Sequence, residues 1–299
     1  MIIATVPIPK GSIKKVFDTI FILLSYLFPI EIMQYRFMQS ALLGLILLAP
    51  MVALMGVQVV NFRLAFFTDA ISHSAFTGIA LGLILGINPQ ISIPVFGVLI
   101  GIGVMYGQRR SNLSHDAVIG VIFSAVVALG IAIVSREKNL ARNVQRFMYG
   151  DILTINVEQL MAMGILLLVV MLFHLFSFNR LIALGINPVL AKAHRIKVDI
   201  YRYIFASLLA LVVVYAVNAV GVFLVTALLI VPASAARNFA STAGAMVWWA
   251  ILIALSSSIA GLLISSHPVI NTATGATVVI VSFIWFGLSF LRGILRREK

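Results

Sequence analysis

Nine apolar stretches follow one another along this chain, at about 37–60, 67–87, 91–107, 117–135, 160–178, 201–217, 219–236, 243–265 and 275–291. A helix needs roughly 20 apolar residues to cross the hydrocarbon core of a bilayer, and backbone in lipid must satisfy its own hydrogen bonds. The pattern predicts an all-α integral membrane protein, a polytopic bundle of about eight to nine transmembrane helices. Pro94 and Pro232 fall inside two of the segments, which a membrane helix tolerates when neighbours re-satisfy the freed carbonyl. Composition agrees, because 62% of the 299 residues are hydrophobic and 10% charged, too little polar surface for a soluble domain. The absence of cysteine excludes disulfides, thiolate metal sites and thiol catalysis.

Residues 1–36 form a separate N-terminal segment, and 37–299 read as one membrane domain without linker, low-complexity tract or clear repeat. Lys10, Lys14 and Lys15 precede the run "VFDTIFILLSYLFPI", which resembles a signal peptide but has no small-residue cleavage site after it. Phe17, Ile20, Phe21, Leu24, Leu27 and Phe28 share one helical face. The reading is an amphipathic helix lying in the membrane interface, with a short first span as the alternative.

A net charge of +12 would point to nucleic acid in a soluble protein. In a polytopic one it reflects Lys and Arg holding loops in the cytoplasm, and no nucleic-acid partner is expected. If the first main span ends inside at Arg63, the inside loops hold Arg63, Arg109, Arg110, Arg180, Lys192, Arg195, Lys197, Arg202, Arg237, Arg292, Arg296, Arg297 and Lys299. The outside set is Lys10, Lys14, Lys15, Arg36, Arg136, Lys138, Arg142 and Arg146, so the bias is thirteen to eight. The largest inside loop, at about 184–200, contains "NPVLAKAHRIK", in which Asn187 can cap a short helix and Pro188 fits its first position. Such a basic helix is either a docking element or a positive-inside anchor.

Within the second stretch, Asp69 and His73 lie one turn apart on one helical face. An ionisable residue at the centre of a membrane helix costs about 2.5–3.5 kcal/mol or more. The pair can hold itself together or cap the helix near an interface, it can relay protons, or it can bind a cation. Carboxylate plus imidazole suits zinc, manganese or iron. On the adjacent face Ala70, Ser74, Gly78, Gly82 and Gly86 recur every fourth position, a close-packing seam. The remaining candidates are weaker. Asp116 and Asp151 read as caps, His174 as interfacial, His194 as part of the basic loop, and His267 as an outer-surface residue. The chain has no GxxxxGK[ST] loop, HExxH or Gly-x-Ser-x-Gly, so it is not expected to be an enzyme or to hydrolyse nucleotide itself.

"TDAISHSAFTGIALG" resembles the "GDALSHAALPGVALG"-like signature of the membrane permease subunits of bacterial zinc, manganese and iron ABC importers. "GVFLVTALLIVPASAAR" resembles their "GVLLVSALLIIPAATAR"-like segment, and "DAVIGVIFSAVVALG" and "YGDILTI" match further stretches in the same order. The resemblance runs from about residue 37 to the C-terminus. It implies a fold like the vitamin B12-importer (type II) permease in a bacterial inner membrane, working as a homodimer or related heterodimer. The implied partners are cytoplasmic ATPase subunits, an extracytoplasmic metal-binding protein and membrane lipid. The cargo would be a divalent metal ion, with no permanently bound cofactor. It also implies that Asp69 and His73 are pathway ligands. The coupling helix to the ATPase would comprise Asn187, Pro188, Leu190, Ala191, Lys192, His194 and Arg195, with Leu190 and Ala191 buried in the ATPase groove. The chain departs from the pattern where members often carry "A-L-G-I" and it has Ala193, His194, Arg195 and Ile196. Two ligands leave a four-coordinate site incomplete, and a twofold axis or water could supply the rest. Competing readings are a permease for a chelate such as a siderophore or cobalamin, an ion-coupled carrier without an ATPase, and an inactive scaffold.

Overall fold

The computed structural model describes residues 10–136 and 150–297. Among these residues there is no strand. The helices are α1 (Lys10–Leu27), α2 (Arg36–Phe62), α3 (Ala65–Ile84), α4 (Pro89–Arg110), α5 (His115–Val134), α6 (Val157–Ile186), α7 (Pro188–Ala193), α8 (Val198–Val220), α9 (Val222–Phe239), α10 (Ala243–Ser265) and α11 (Thr274–Arg297). Eight of them are long and apolar enough to cross a membrane: α2, α3, α4, α5, α6, α8, α10 and α11. The outside loop that sequence places at 136–146 lies outside the described residues from 137 onward.

The shorter α9 still reaches both ends of the bundle. One residue separates its start from the end of α8, and that end of α8 adjoins the start of α11, where a Cβ on Gly275 would sit 2.9 Å from the Val220 carbonyl. At its other end Asn238 Nδ2 donates to Ser289 Oγ at 3.1 Å, and the Arg292 guanidinium lies 5.3 Å from the centroid of the Phe239 ring. Pro94 and Pro232 both stand inside continuous helices, α4 and α9. The ends sort as the basic loops require. Arg63, His115 and Arg202, from three separate loops or helix starts, line one cavity of about 360 Å³, and Arg109 reaches Asp199 at 3.4 Å.

α2 is the central column. It packs against α6, α8, α9 and α10, and nearly all its middle residues are buried. Gly56 allows α9 to approach, since a Cβ there would lie 2.1 Å from the Leu229 carbonyl oxygen. α1 rests Phe21 and Leu24 on the core and leaves Ile22, Leu23, Tyr26 and Leu27 exposed. Asp18 on α1 pairs with Arg36 at the start of α2 at 2.8 Å.

The small-residue seam of α3 faces α4. A Cβ at Gly78 would stand 3.2 Å from Ile93 Cα, and one at Gly82 would stand 2.2 Å from Ser92 Oγ. Ser92 Oγ also donates to the Gly78 carbonyl at 2.9 Å. Ser74 belongs to the same face, its Oγ 4.0 Å from a Cβ built on Gly97. Gly86 does not. It lies beyond the end of α3, exposed, at φ 67°, and nothing stands within 4 Å of a Cβ there. It serves the α3–α4 turn, because the residue after a helix often needs a left-handed backbone. Gly82→Leu should accordingly lower the melting temperature of the solubilised protein by the equivalent of about 1–3 kcal/mol or more of overpacking. Leu83→Phe, on a half-buried face, should change it little. Equal melting temperatures for the two variants would mean that α3 and α4 are not tightly apposed.

Candidate metal pathway site

α2 ends on a left-handed residue, Arg63 (φ 57°), with Leu64 N–H bonded to the Val59 carbonyl at 3.0 Å. This closure reverses the chain within two residues and aims α3 back through the bundle. Asp69 and His73 then fall on the second and third turns of α3, both half-buried.

Their depth follows from the neighbours. A Cβ at Gly101 would lie 3.3 Å from the Ala206 carbonyl and 3.4 Å from Phe67 Cζ, while one at Gly97 would lie 3.2 Å from Val214 and 3.9 Å from Ile71. The stretch 67–71 of α3 is thus level with about 206–214 of α8, the middle of that 23-residue helix. The pair sits at mid-depth of the bundle. A capping role for Asp69 near an interface is thereby excluded.

Three helices build the site. Thr226 Oγ1, from α9, donates to Asp69 Oδ1 at 2.5 Å. The His73 ring stands edge-on to Phe123 of α5, with centroids 5.3 Å apart and planes at 80°. Asp69 and His73 are within electrostatic reach of each other. Beyond them Thr77 Oγ1 donates to the Val126 carbonyl at 2.7 Å and fastens α3 to α5. A carboxylate offers about four acceptor positions, so the threonine bond orients Asp69 and leaves capacity for a cation. Thr226 was not singled out from sequence, although its hydroxyl interrupts the apolar run "GVFLVTALLIV".

No group of three or more His, Asp or Glu that could hold a metal ion occurs among the described residues. One chain therefore supplies this site with two candidate ligands. The other titratable candidates lie elsewhere. His115 and Asp116 are exposed at the start of α5, where Ser114, not Asp116, provides the cap by accepting from Ala117 N–H at 3.2 Å. Asp151 caps a 3-10 turn through Leu153 N–H at 3.0 Å. His174 is buried within α6, its Nδ1 3.0 Å from the Val170 carbonyl, and so is not the interfacial residue expected. His267 is exposed and shares a cavity of about 600 Å³ with Glu31.

At the basic end, Asn187 accepts from Val189 and Leu190 N–H at 2.9 and 3.1 Å and caps α7, with Pro188 in its first turn. Val189 and Leu190 are exposed, 75% and 55%, as are Lys192, His194 and Arg195. Ala191, expected to face a partner, turns inward and packs with Leu184 and Val198. The departure from "A-L-G-I" falls on Arg195, whose φ of 59° lies in the left-handed region that favours glycine.

The model of the ABC 3 transport family matches residues 34–293. The high-affinity zinc uptake system membrane protein ZnuB of Haemophilus influenzae is 34% identical over 265 residues, 89% of this chain and 99% of that one. The manganese import system permease protein ScaB of Streptococcus gordonii is 32% identical, over 86% of this chain and 91% of that one. Among solved structures, PsaBC from Streptococcus pneumoniae in complex with Fab superposes with a TM-score of 0.75 at 29% identity, covering 86% of this chain and 91% of that one. An inward-facing metal-chelate type ABC transporter superposes at 0.69 with 18% identity, over 84% and 85%, a likeness of fold alone. A match across nearly the whole helical bundle, on a chain whose described residues form eight membrane-length helices and no strand, means that this multi-pass inner-membrane protein belongs to the ABC 3 transport family.

Proposed function

We propose that the chain is the permease subunit of an ABC importer that moves a divalent transition-metal ion, zinc, manganese or iron, into the cytoplasm. The observation that carries this reading is the Asp69–His73 pair at mid-depth, oriented by Thr226. Ionisable groups at that depth are costly and mark ion pathways. A carboxylate and an imidazole replace part of the ion's water shell, strongly enough to admit it and weakly enough to release it. A second permease copy related by a twofold axis would bring another carboxylate and imidazole, which makes four ligands. The relatives named for zinc and manganese uptake support an ion as cargo. A chelate would need a wide apolar path, which a charged pair on three packed helices does not offer.

The chain has no phosphate-binding loop, so the work of opening comes from a separate ATPase through α7. The anchors on that helix are Val189 and Leu190, which are apolar and exposed, with Lys192, His194 and Arg195 at the rim. An extracytoplasmic binding protein delivers the ion at the opposite face.

The test is metal-stimulated ATP hydrolysis and uptake by the reconstituted complex with its ATPase and binding protein, with zinc, manganese and iron in competition. Uptake that proceeds without any ATPase, or of a chelate with no uptake of free ion, would overturn the reading. Thr226→Val keeps the shape and removes the donor. It should weaken apparent metal affinity by about 10–100-fold, as expected for loss of a group that orients a ligand, and leave ATPase assembly intact. Unchanged affinity would mean that Thr226 does not position Asp69.

A further inference from the structure

A cavity of about 510 Å³ opens between the end of α6 and the start of α8, beside α7. Arg180, His194, Arg195 and Lys197 line it, and no carboxylate does. The nearby Asp199 is engaged by Arg109. Phe173, Ile196, Ile200 and Ile204, with Ser177 and Tyr201, form the rest of its wall. On α6, Phe173 lies seven residues from Arg180, about 10 Å deeper along the helix. On α8, Ile204 lies the same distance from Lys197. Both walls therefore change from cationic to apolar in the same direction, from the basic end of the bundle toward its middle.

The guanidinium of Arg180 and the backbone of Arg195 are held in place. Arg180 Nη1 donates to the Tyr201 hydroxyl, and the guanidinium packs 5.6 Å from the centroid of that ring. One bond leaves four of the five guanidinium donors for a ligand. Arg195 ends α7 in a left-handed conformation, with its N–H on the Lys192 carbonyl at 2.9 Å and Ile196 N–H on the Ala191 carbonyl at 3.1 Å. Glycine fits that position without strain. Arginine there carries a backbone penalty and adds a guanidinium to the cavity.

We infer that this cavity binds the headgroup of an anionic phospholipid of the cytoplasmic leaflet, phosphate against Arg180, Arg195 and Lys197, with the acyl chains descending along Phe173, Ile200 and Ile204. Charge complementarity selects an anion, and the apolar wall selects an anion that carries hydrocarbon. Basic pockets between transmembrane helices on the cytoplasmic side suit such headgroups. The inference requires only that the chain spans a membrane and stands apart from the choice of cargo. Because residues 194–197 link α7 to α8, a bound lipid would also brace the coupling segment.

Native mass spectrometry of the full-length chain, extracted from bilayers of phosphatidylglycerol mixed with phosphatidylcholine, tests it. The wild type should retain phosphatidylglycerol about tenfold or more over phosphatidylcholine. Arg180→Gln combined with Lys197→Gln should bring the two close to parity, whereas Arg292→Gln, at the same end but outside the cavity, should keep the preference. Millimolar inorganic phosphate should leave the lipid in place. No preference in the wild type, equal retention by the double variant, or displacement by phosphate would each overturn the inference, the last by making the site one for a soluble anion. Independently of any variant, phosphatidylglycerol with a photoreactive headgroup should label segments 173–180 and 194–204 of the wild type. Labelling confined to other segments would overturn it as well.

Discussion

Asp69→Ala and His73→Ala are each expected to reduce metal uptake at limiting metal to the background of cells without the permease, while the protein remains inserted and assembled with its ATPase. Among the described residues one chain offers two candidate ligands at the site, so removing either halves what the chain contributes. The helix should tolerate the loss, because alanine is the best helix former and no longer carries the cost of an ionisable group at mid-depth. Asp69→Ala also strands the Thr226 hydroxyl, which gives up its 2.5 Å bond. A threonine in a helix can turn that hydroxyl to its own backbone, so the expected effect on stability is small beside the effect on transport. Metal uptake assays with surface-expression and pull-down controls separate the two. Full uptake by both variants would sink the ligand assignment.

Leu190→Asp is expected to release the ATPase or to uncouple ATP hydrolysis from uptake, with the metal pair untouched. Leu190 is capped into α7 by Asn187 and is 55% exposed, so a carboxylate there adds no strain to the isolated chain. At a partner surface it would replace an apolar anchor by a charge, and buried anchors carry most of the energy of an interface. Val189→Asp should act in the same direction, since Val189 is still more exposed. Lys192→Ala should do little, as rim charges contribute little. Ala191→Asp would fail for another reason, by unseating Leu184 and Val198. Co-purification and the ratio of ATP hydrolysed to metal transported measure these effects. Crosslinks from 188–196 that never reach an ATPase, with crosslinks from the C-terminal segment that do, would move the docking site.

Much of the bundle was legible in the chain itself. The run 243–265 coincides with α10, and the others fall on α2–α6, α8, α9 and α11, with ends within about three residues except where α6 and α11 run on eight and six residues further, because lipid demands long apolar helices and little else. The cap at Asn187 and the proline after it were readable for the same local reason, a side-chain oxygen within reach of the next amides. So was the spacing that puts Asp69 and His73 on one face, and the seam of Ser74, Gly78 and Gly82 beside them. What the seam packs against was not. Only the tertiary structure supplied α4 as its partner, Thr226 as the donor to Asp69, Phe123 as the wall beside His73, the inward turn of Ala191, and the release of Gly86 from the seam into a turn. In water the apolar face of a helix announces the core. In a bilayer the lipid-facing side is as apolar as the protein-facing side, so the sequence determined which helices form and which residues share a face, and the packing of helix on helix decided which face meets which.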